Sequence, residues 1–182
     1  MRHPARVQAA LVVVTGPPGA GKSAVARELA GAFERSALVR GDEFFAFVAT
    51  GWIAPWLPEA HAQNEVVLAA AASAAGRFAR GGYTVVYDGV LVPRFLPAFT
   101  SAAGLAEIAY AVLLPSEQVC LHRVATRTGH GFTDADAARH MYRQFADADV
   151  DQRHVLRDPA GSPSDVAAAV RERLDRDVLR FG

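Results

Sequence analysis

Gly16-Pro-Pro-Gly-Ala-Gly-Lys-Ser23 is the stretch that decides how this 182-residue chain folds. Its spacing (Gly, four residues, then Gly-Lys-Ser) is that of a turn whose backbone cradles phosphate. The flanks suit it. Leu11-Val-Val-Val-Thr15 reads as a short buried strand, and from Lys22 onward Ala24, Val25 and Leu29 oppose Arg27 and Glu28 on an amphipathic helix. A strand, a glycine turn and a helix N-terminus aim backbone N–H groups and the positive end of the helix dipole at one anion site. Gly16 shapes the turn, while Pro17 and Pro18 carry no N–H, so the predicted donors run from Gly19 through Ala20, Gly21, Lys22 and Ser23 to Ala24. Lys22 is expected to reach the β- and γ-phosphates, and the Ser23 hydroxyl to hold Mg²⁺. Lys22 is also the only lysine in a chain with eighteen arginines. A compact ammonium persists where a planar guanidinium does not fit among phosphate oxygens. The stretch is a nucleoside-triphosphate site.

Working outward, 182 residues that are 51% hydrophobic suit one domain with one good core. A formal net charge of zero gives no basic excess, so neither nucleic acid nor an anionic membrane is an expected partner. Cys120 is the single cysteine, which excludes an internal disulfide and suits a reducing cytoplasm. The apolar run after Arg2 and Arg6 is short and leads directly into the phosphate turn, so it is a strand and not a signal segment. The alanine-rich segment 66–75 is too short to span a bilayer. A cytoplasmic protein is expected.

Along the chain, Ala37-Leu-Val-Arg40 is a second strand that delivers Asp42 and Glu43. The segment 44–58 is apolar and irregular, with Trp52, Trp56 and two prolines. A helix is predicted over 64–80, stopped by Gly81-Gly82. Thr84-Val-Val-Tyr87 is a third strand ending in Asp88, followed by a short helix over 95–103 and a fourth strand over 108–114. Ser116 caps a helix reaching about Arg127. Thr133 to Asp136 opens another with a capping-box pattern, and Val155-Leu156 is a weak fifth strand. Ser162-Pro-Ser-Asp165 starts the terminal helix with Pro at its first position. Alternating strands and helices mean an α/β fold, a parallel sheet covered on both faces, with ligands at the carboxyl ends of the strands. Thr15, Asp42 and Asp88 all fall there.

From Leu11 to about Leu174 the chain resembles the small P-loop phosphotransferases, the group of gluconate kinase, shikimate kinase and chloramphenicol phosphotransferase. The resemblance implies a P-loop NTPase fold with a five-stranded sheet in the order 2-3-1-4-5. It also implies ATP and Mg²⁺, a single kinase domain over 1–182, an acceptor-binding segment at 42–64 and a small helical lid at about 123–145. Other P-loop classes fit less well. No second lysine exists for the guanine-reading Asn-Lys-x-Asp segment of regulatory GTPases, and the strand expected to carry an Asp-Glu pair in motor ATPases ends Asp88-Gly89.

In the resembling kinases a carboxylate just after the second strand contacts the acceptor hydroxyl, which implies Asp42 as general base. Asp88 matches the acidic residue that holds Mg²⁺ through water, or contacts the acceptor. The two roles can be exchanged between these aspartates on sequence grounds. Arg123 and Arg127 share a helix face four residues apart, Arg139 and Arg143 repeat the spacing, and the wording around His130 is similar to the lid of gluconate kinases. Arg127 is expected to stabilise developing phosphoryl charge and Arg123 to contact the nucleotide. Trp52 and Trp56, set between prolines, are expected to cap a sugar-like or apolar hydroxyl acceptor. Arg40 and Arg94 are the nearby cations, with neutral hydrogen bonds expected from His61, Gln63 or Asn64, the last also a helix cap. A nucleoside-monophosphate kinase and a non-catalytic ATP-binding switch are the competing readings.

Overall fold

The computed structural model describes residues 10–126, 132 and 134–182. The sheet is built on β1 (Leu11–Thr15), whose five residues are all buried because strands flank it on both sides and helices cover both faces. β2 (Ser36–Arg40), β3 (Thr84–Asp88), β4 (Ile108–Leu114) and β5 (Val155–Arg157) complete a parallel sheet in the order β2-β3-β1-β4-β5. This is the P-loop NTPase topology expected from the sequence.

The sheet has a sixth strand that the sequence did not disclose, β6 (Arg180–Phe181). It runs antiparallel to the start of β4, pairing Ile108 with Phe181, whereas β5 pairs the end of β4 from Val112. Two short strands thus share one edge. A two-residue strand has no periodicity to read; it is held by its partner and by the Arg180–Glu107 ion pair at 3.1 Å.

Side chains alternate across the pleat. Leu11, Val13, Val85, Tyr87 and Ile108 face α2 (His61–Arg80) and α3 (Leu96–Ala103). Val12, Val14, Val86, Ala109 and Leu113 face α1 (Lys22–Gly31) and α6 (Pro163–Asp175). α4 (Glu117–Thr126) and α5 (Ala135–Ala146) lie over the carboxyl ends of the strands. Ser162 and Asp165 form the expected capping box with Pro163 at the first turn. α5 is capped by Asp134, whose side chain accepts from the Asp136 and Ala137 N–H groups, both at 3.0 Å.

α2 begins at His61 and not at Asn64. Asn64 is therefore inside the first turn and is not a cap. Pro58 opens a short 3₁₀ turn (Pro58–Ala60) that leads into the helix and starts it early.

Candidate active site

The phosphate turn joins β1 to α1 at the centre of the sheet's carboxyl edge. Gly16, Gly19 and Gly21 all have positive φ. At Gly19, φ is +82° and a Cβ would collide with the Cys120 backbone carbonyl of α4, so glycine is required twice over. The Ala20 N–H already donates to the Pro17 carbonyl at 3.1 Å, and the first helical bond runs from Val25 to Gly21 at 3.2 Å. The Ala20 N–H is thus engaged within the turn, and the first turn of α1 begins directly after it at Lys22. Lys22 is buried, with its ammonium donating to the Pro17 carbonyl at 3.0 Å. Arg123 of α4 reaches across and donates to the Gly19 carbonyl at 3.3 Å, so two cations flank the turn.

Asp88 ends β3, opposite Val14 of β1 and Arg40 of β2. It is only 5% exposed, and its Oδ1 has no hydrogen-bond partner. Burial pushes its carboxyl above the usual carboxylate range, and the Asp42 charge adds to this. A hydrogen bond from the Ser23 side chain, then Lys22 and Arg40, act in the opposite direction. Asp88 and Ser23 are thus brought together, with an orphaned buried oxygen beside a hydroxyl. Hard oxygen donors of this kind suit Mg²⁺, which keeps most of its shell for water and phosphate. Among the described residues no group of three or more His, Cys, Asp or Glu side chains is arranged to hold a metal alone.

Asp42 stands in the 3₁₀ helix Gly41–Phe47 that follows β2. It is not the cap of that turn, since Arg40 occupies the N-cap position, and its side chain is exposed. The turn sits tightly on the sheet because Gly41 lies against the Tyr87 hydroxyl where a Cβ would collide. Burial, with Asp42 and Asp88 nearby, raises the Tyr87 phenol far above its ordinary value and keeps it neutral. Arg40 pairs with Glu43 at the surface, 2.5 Å apart, and also acts electrostatically on Asp88.

Beside the turn is a cavity of about 250 Å³. Pro18 comes from the phosphate turn, Asp42 and Phe45 from the 3₁₀ helix, and Trp52, Pro55 and Trp56 from the irregular segment. Asn64 and Leu68 come from α2, Val90, Val92, Arg94 and Phe95 from the connection after β3, and Phe132, Met141 and Gln144 from the α4–α5 region. Both tryptophans line it: Trp56 meets the Phe132 ring edge-on at 4.7 Å, and Trp52 meets Trp56 at 6.5 Å. Arg94 is exposed, and its guanidinium lies 4.9 Å from the Phe95 ring centre.

The sequence suggested Gln63 and His61 as acceptor contacts; the structure gives them other work. Gln63 clamps the Ile53 backbone from both sides, accepting from its N–H at 2.8 Å and donating to its carbonyl at 2.7 Å. Asn64 donates to the Pro55 carbonyl at 2.7 Å. Together they staple the tryptophan segment to α2. His61 stacks on Phe95 and pairs with Glu65 at 3.4 Å. Arg139 is engaged by Glu117 and Asp136, at 3.2 and 3.0 Å. Arg127 and His130 lie outside the described residues.

Sequence reasoning missed a strut at the back of the site. Thr15 Oγ1 accepts from the Leu91 N–H at 2.8 Å and donates to its carbonyl at 3.3 Å, and the Tyr110 hydroxyl donates to the same carbonyl at 2.8 Å. This fixes the segment that presents Val90 and Val92. A polar residue ending a buried strand was its one signal.

A central parallel sheet, a glycine turn at its carboxyl edge and an adjacent acid-bearing cavity under two helices define a P-loop kinase fold. Residues 11–148 match a family model described as an AAA domain (AAA_33), and the chain belongs to that family. Among curated proteins none matches the sequence. Among solved structures it is similar to a Janibacter sugar kinase (TM-score 0.68, 19% identity, 91% of this chain and 94% of that one). It is also similar to the tunicamycin resistance protein of Deinococcus radiodurans (0.64, 16%, 90% and 94%). A gluconokinase from Sinorhizobium meliloti is comparable (0.63, 20%, 95% and 95%). At these identities the likeness is one of fold. No described helix is long and apolar enough to cross a membrane.

Proposed function

We propose that the protein is an ATP- and Mg²⁺-dependent kinase that transfers the γ-phosphoryl group to a hydroxyl of a small molecule. One observation carries this reading: the phosphate turn and Asp42 share a cavity, through Pro18 and the acid itself. A molecule held there meets a carboxylate on the side where the terminal phosphate ends. Asp42 takes the hydroxyl proton as the acceptor oxygen bonds to the γ-phosphorus and the bond to the bridging oxygen breaks, releasing ADP. The N–H groups of the first turn of α1 and the Lys22 ammonium hold the phosphate oxygens, with Arg123 alongside. Arg127, four residues further along the sequence, is assigned to the charge that develops in the transition state. Ser23 and Asp88 would hold Mg²⁺, which would supply positive charge to offset that on the phosphate oxygens. The supply of ATP fits a cytoplasmic enzyme.

The divided environments of the two aspartates support this assignment of roles. Asp42 is open to the cavity, whereas Asp88 is buried against Ser23. A nucleoside monophosphate is a poor acceptor here, because Arg94 is the one cation among the described lining residues and it sits exposed over Phe95.

ADP release from ATP and Mg²⁺ across a panel of hydroxyl compounds tests the proposal. Release should depend on the acceptor, and Asp42→Asn should retain ATP binding while losing about 10²–10⁴ in transfer rate. ATP binding with silence on every acceptor would instead leave a nucleotide-dependent switch.

A further inference from the structure

Asp158 holds a backbone conformation that glycine, asparagine and aspartate tolerate and most other residues avoid, with φ at +39°. One other non-glycine residue among those described has a positive φ. That is Asp177, at +58°, just past the end of α6, where its N–H donates to the Leu174 carbonyl at 2.9 Å. A helix end accounts for it. Asp158 instead follows a strand, β5, at the carboxyl edge of the sheet, the edge that carries the phosphate turn. Strain kept at such an edge persists only where the surroundings hold it.

Two bonds to the β4–α4 connection hold it. The Asp158 N–H donates to the Leu114 carbonyl at 3.1 Å, one step beyond the pairing of Leu114 with Arg157. The side chain then turns back, and Oδ1 accepts the Ser116 N–H at 2.7 Å. Ser116 is where α4 starts, and its carbonyl accepts the Cys120 N–H at 3.1 Å. From that start α4 grips the phosphate turn at one residue from two sides. The Cys120 carbonyl lies so close to Gly19 that a Cβ there would be 2.2 Å from its oxygen, and Arg123 donates to the Gly19 carbonyl at 3.3 Å. Asp158 itself is exposed, so its bond to Ser116 competes with water and adds little to the stability of the fold. What the bond does fix is the place from which α4 begins.

We infer that Asp158 is a positioning residue for the nucleotide phosphates. By pinning the start of α4 to the end of β5, it sets where Cys120 and Arg123 meet Gly19, and through them the shape of the phosphate turn. This rests on the kinase reading for the identity of the bound phosphates. Asp158 acts through α4 and not by a contact of its own with the nucleotide.

The test titrates ADP with Mg²⁺, and separately inorganic pyrophosphate, into wild type, Asp158→Gly and Asp158→Asn by calorimetry. Glycine accepts the positive φ and drops the bond to Ser116, whereas asparagine keeps the conformation and an oxygen for the Ser116 N–H. Asp158→Gly should bind both ADP and pyrophosphate about tenfold more weakly, the worth of one hydrogen bond to a charged group. Its Tm should stay within about 2 °C of wild type, as for an exposed substitution. Asp158→Asn should bind both probes nearly as wild type does. A loss confined to ADP would overturn the inference, because Asp158 would then be reading the base or ribose directly. So would equal binding by wild type and Asp158→Gly, an equal loss in Asp158→Asn, or wild-type binding of ADP without pyrophosphate. If Asp158→Gly does not fold, hydrogen exchange on the wild type decides: pyrophosphate should slow exchange of the amides at 116–120, and unchanged exchange there would sink the idea. The two readings fail separately. A wild type that binds neither probe removes the nucleotide site itself, whereas binding that ignores Asp158→Gly removes only the role of Asp158.

Discussion

Asp88→Asn should make the ligand-free protein more stable while impairing its use of Mg²⁺. The side chain is 5% exposed, and one of its oxygens has no partner. A buried acceptor left unsatisfied costs about 1–3 kcal/mol, and more when it is ionised. The Ser23 hydrogen bond and the charges of Lys22 and Arg40 offset part of this, but burial outweighs them and the carboxyl is shifted upward. Asparagine keeps the shape and an oxygen for Ser23, and it removes the charge. A net gain of about 1 kcal/mol is expected, or roughly 2–4 °C in Tm for a chain of this size. The pH dependence follows from the direction of the shift. A raised carboxyl favours the fold below the ordinary value of 3.8, and that contribution is lost as pH rises through the folded value. The variant's advantage should therefore be absent in strong acid and grow toward neutrality. Thermal melts across pH, with and without ATP and Mg²⁺, give the measurement. Wild type should gain from Mg²⁺ with ATP, about 2.7 kcal/mol at a hundredfold excess over Kd, and the variant should need far more Mg²⁺ to approach it. A lower Tm for the ligand-free variant at neutral pH would refute the argument that Asp88 is held at a cost. An unchanged Mg²⁺ requirement would refute its role at the metal.

Lys22→Ala should lose about 10²–10³ in kcat, and Lys22→Arg should recover little, because a guanidinium does not fit where the ammonium meets the Pro17 carbonyl; steady-state kinetics with both variants decides this. Trp56→Ala should raise the acceptor KM more than Trp52→Ala, since Trp56 packs on Phe132 while Trp52 is 50% exposed, and KM for ATP should hardly move in either. His154 is buried with Nδ1 3.0 Å from the Tyr110 carbonyl, and burial lowers its pKa. Its contribution to stability is present above 6.5 and is lost as pH falls through the depressed folded value; His154→Gln should flatten the acid side of the stability–pH curve in denaturant titrations. Cys120, buried and with burial raising its thiol to about 11, should react with thiol reagents only as fast as the protein opens.

Local pattern carried much of this molecule. Runs such as Leu11-Val-Val-Val-Thr15 are apolar because both faces of a central parallel strand are covered, and the glycines at 16, 19 and 21 supply the positive-φ backbone of the turn, with Gly19 also lying against the Cys120 carbonyl of α4. The phosphate turn, the capping box at Ser162 and the gathering of Asp42 and Asp88 at one edge were legible for that reason, whereas the strand order followed from the resemblance to the small P-loop phosphotransferases and not from local pattern. Partners across space were not. Whether Gln63 and Asn64 face a ligand or hold the Ile53 and Pro55 backbone depends on where an irregular segment lies against α2, and no periodicity encodes that. The early start of α2 and the pairing of β6 with β4 belong to the same class, short features set by a neighbour and not by their own residues. The two aspartates show the division most clearly. Their positions at strand ends come from local sequence, but their difference comes from burial: Asp88 is enclosed beside Ser23 and Asp42 is open to the cavity, and only the packed fold distributes solvent between them.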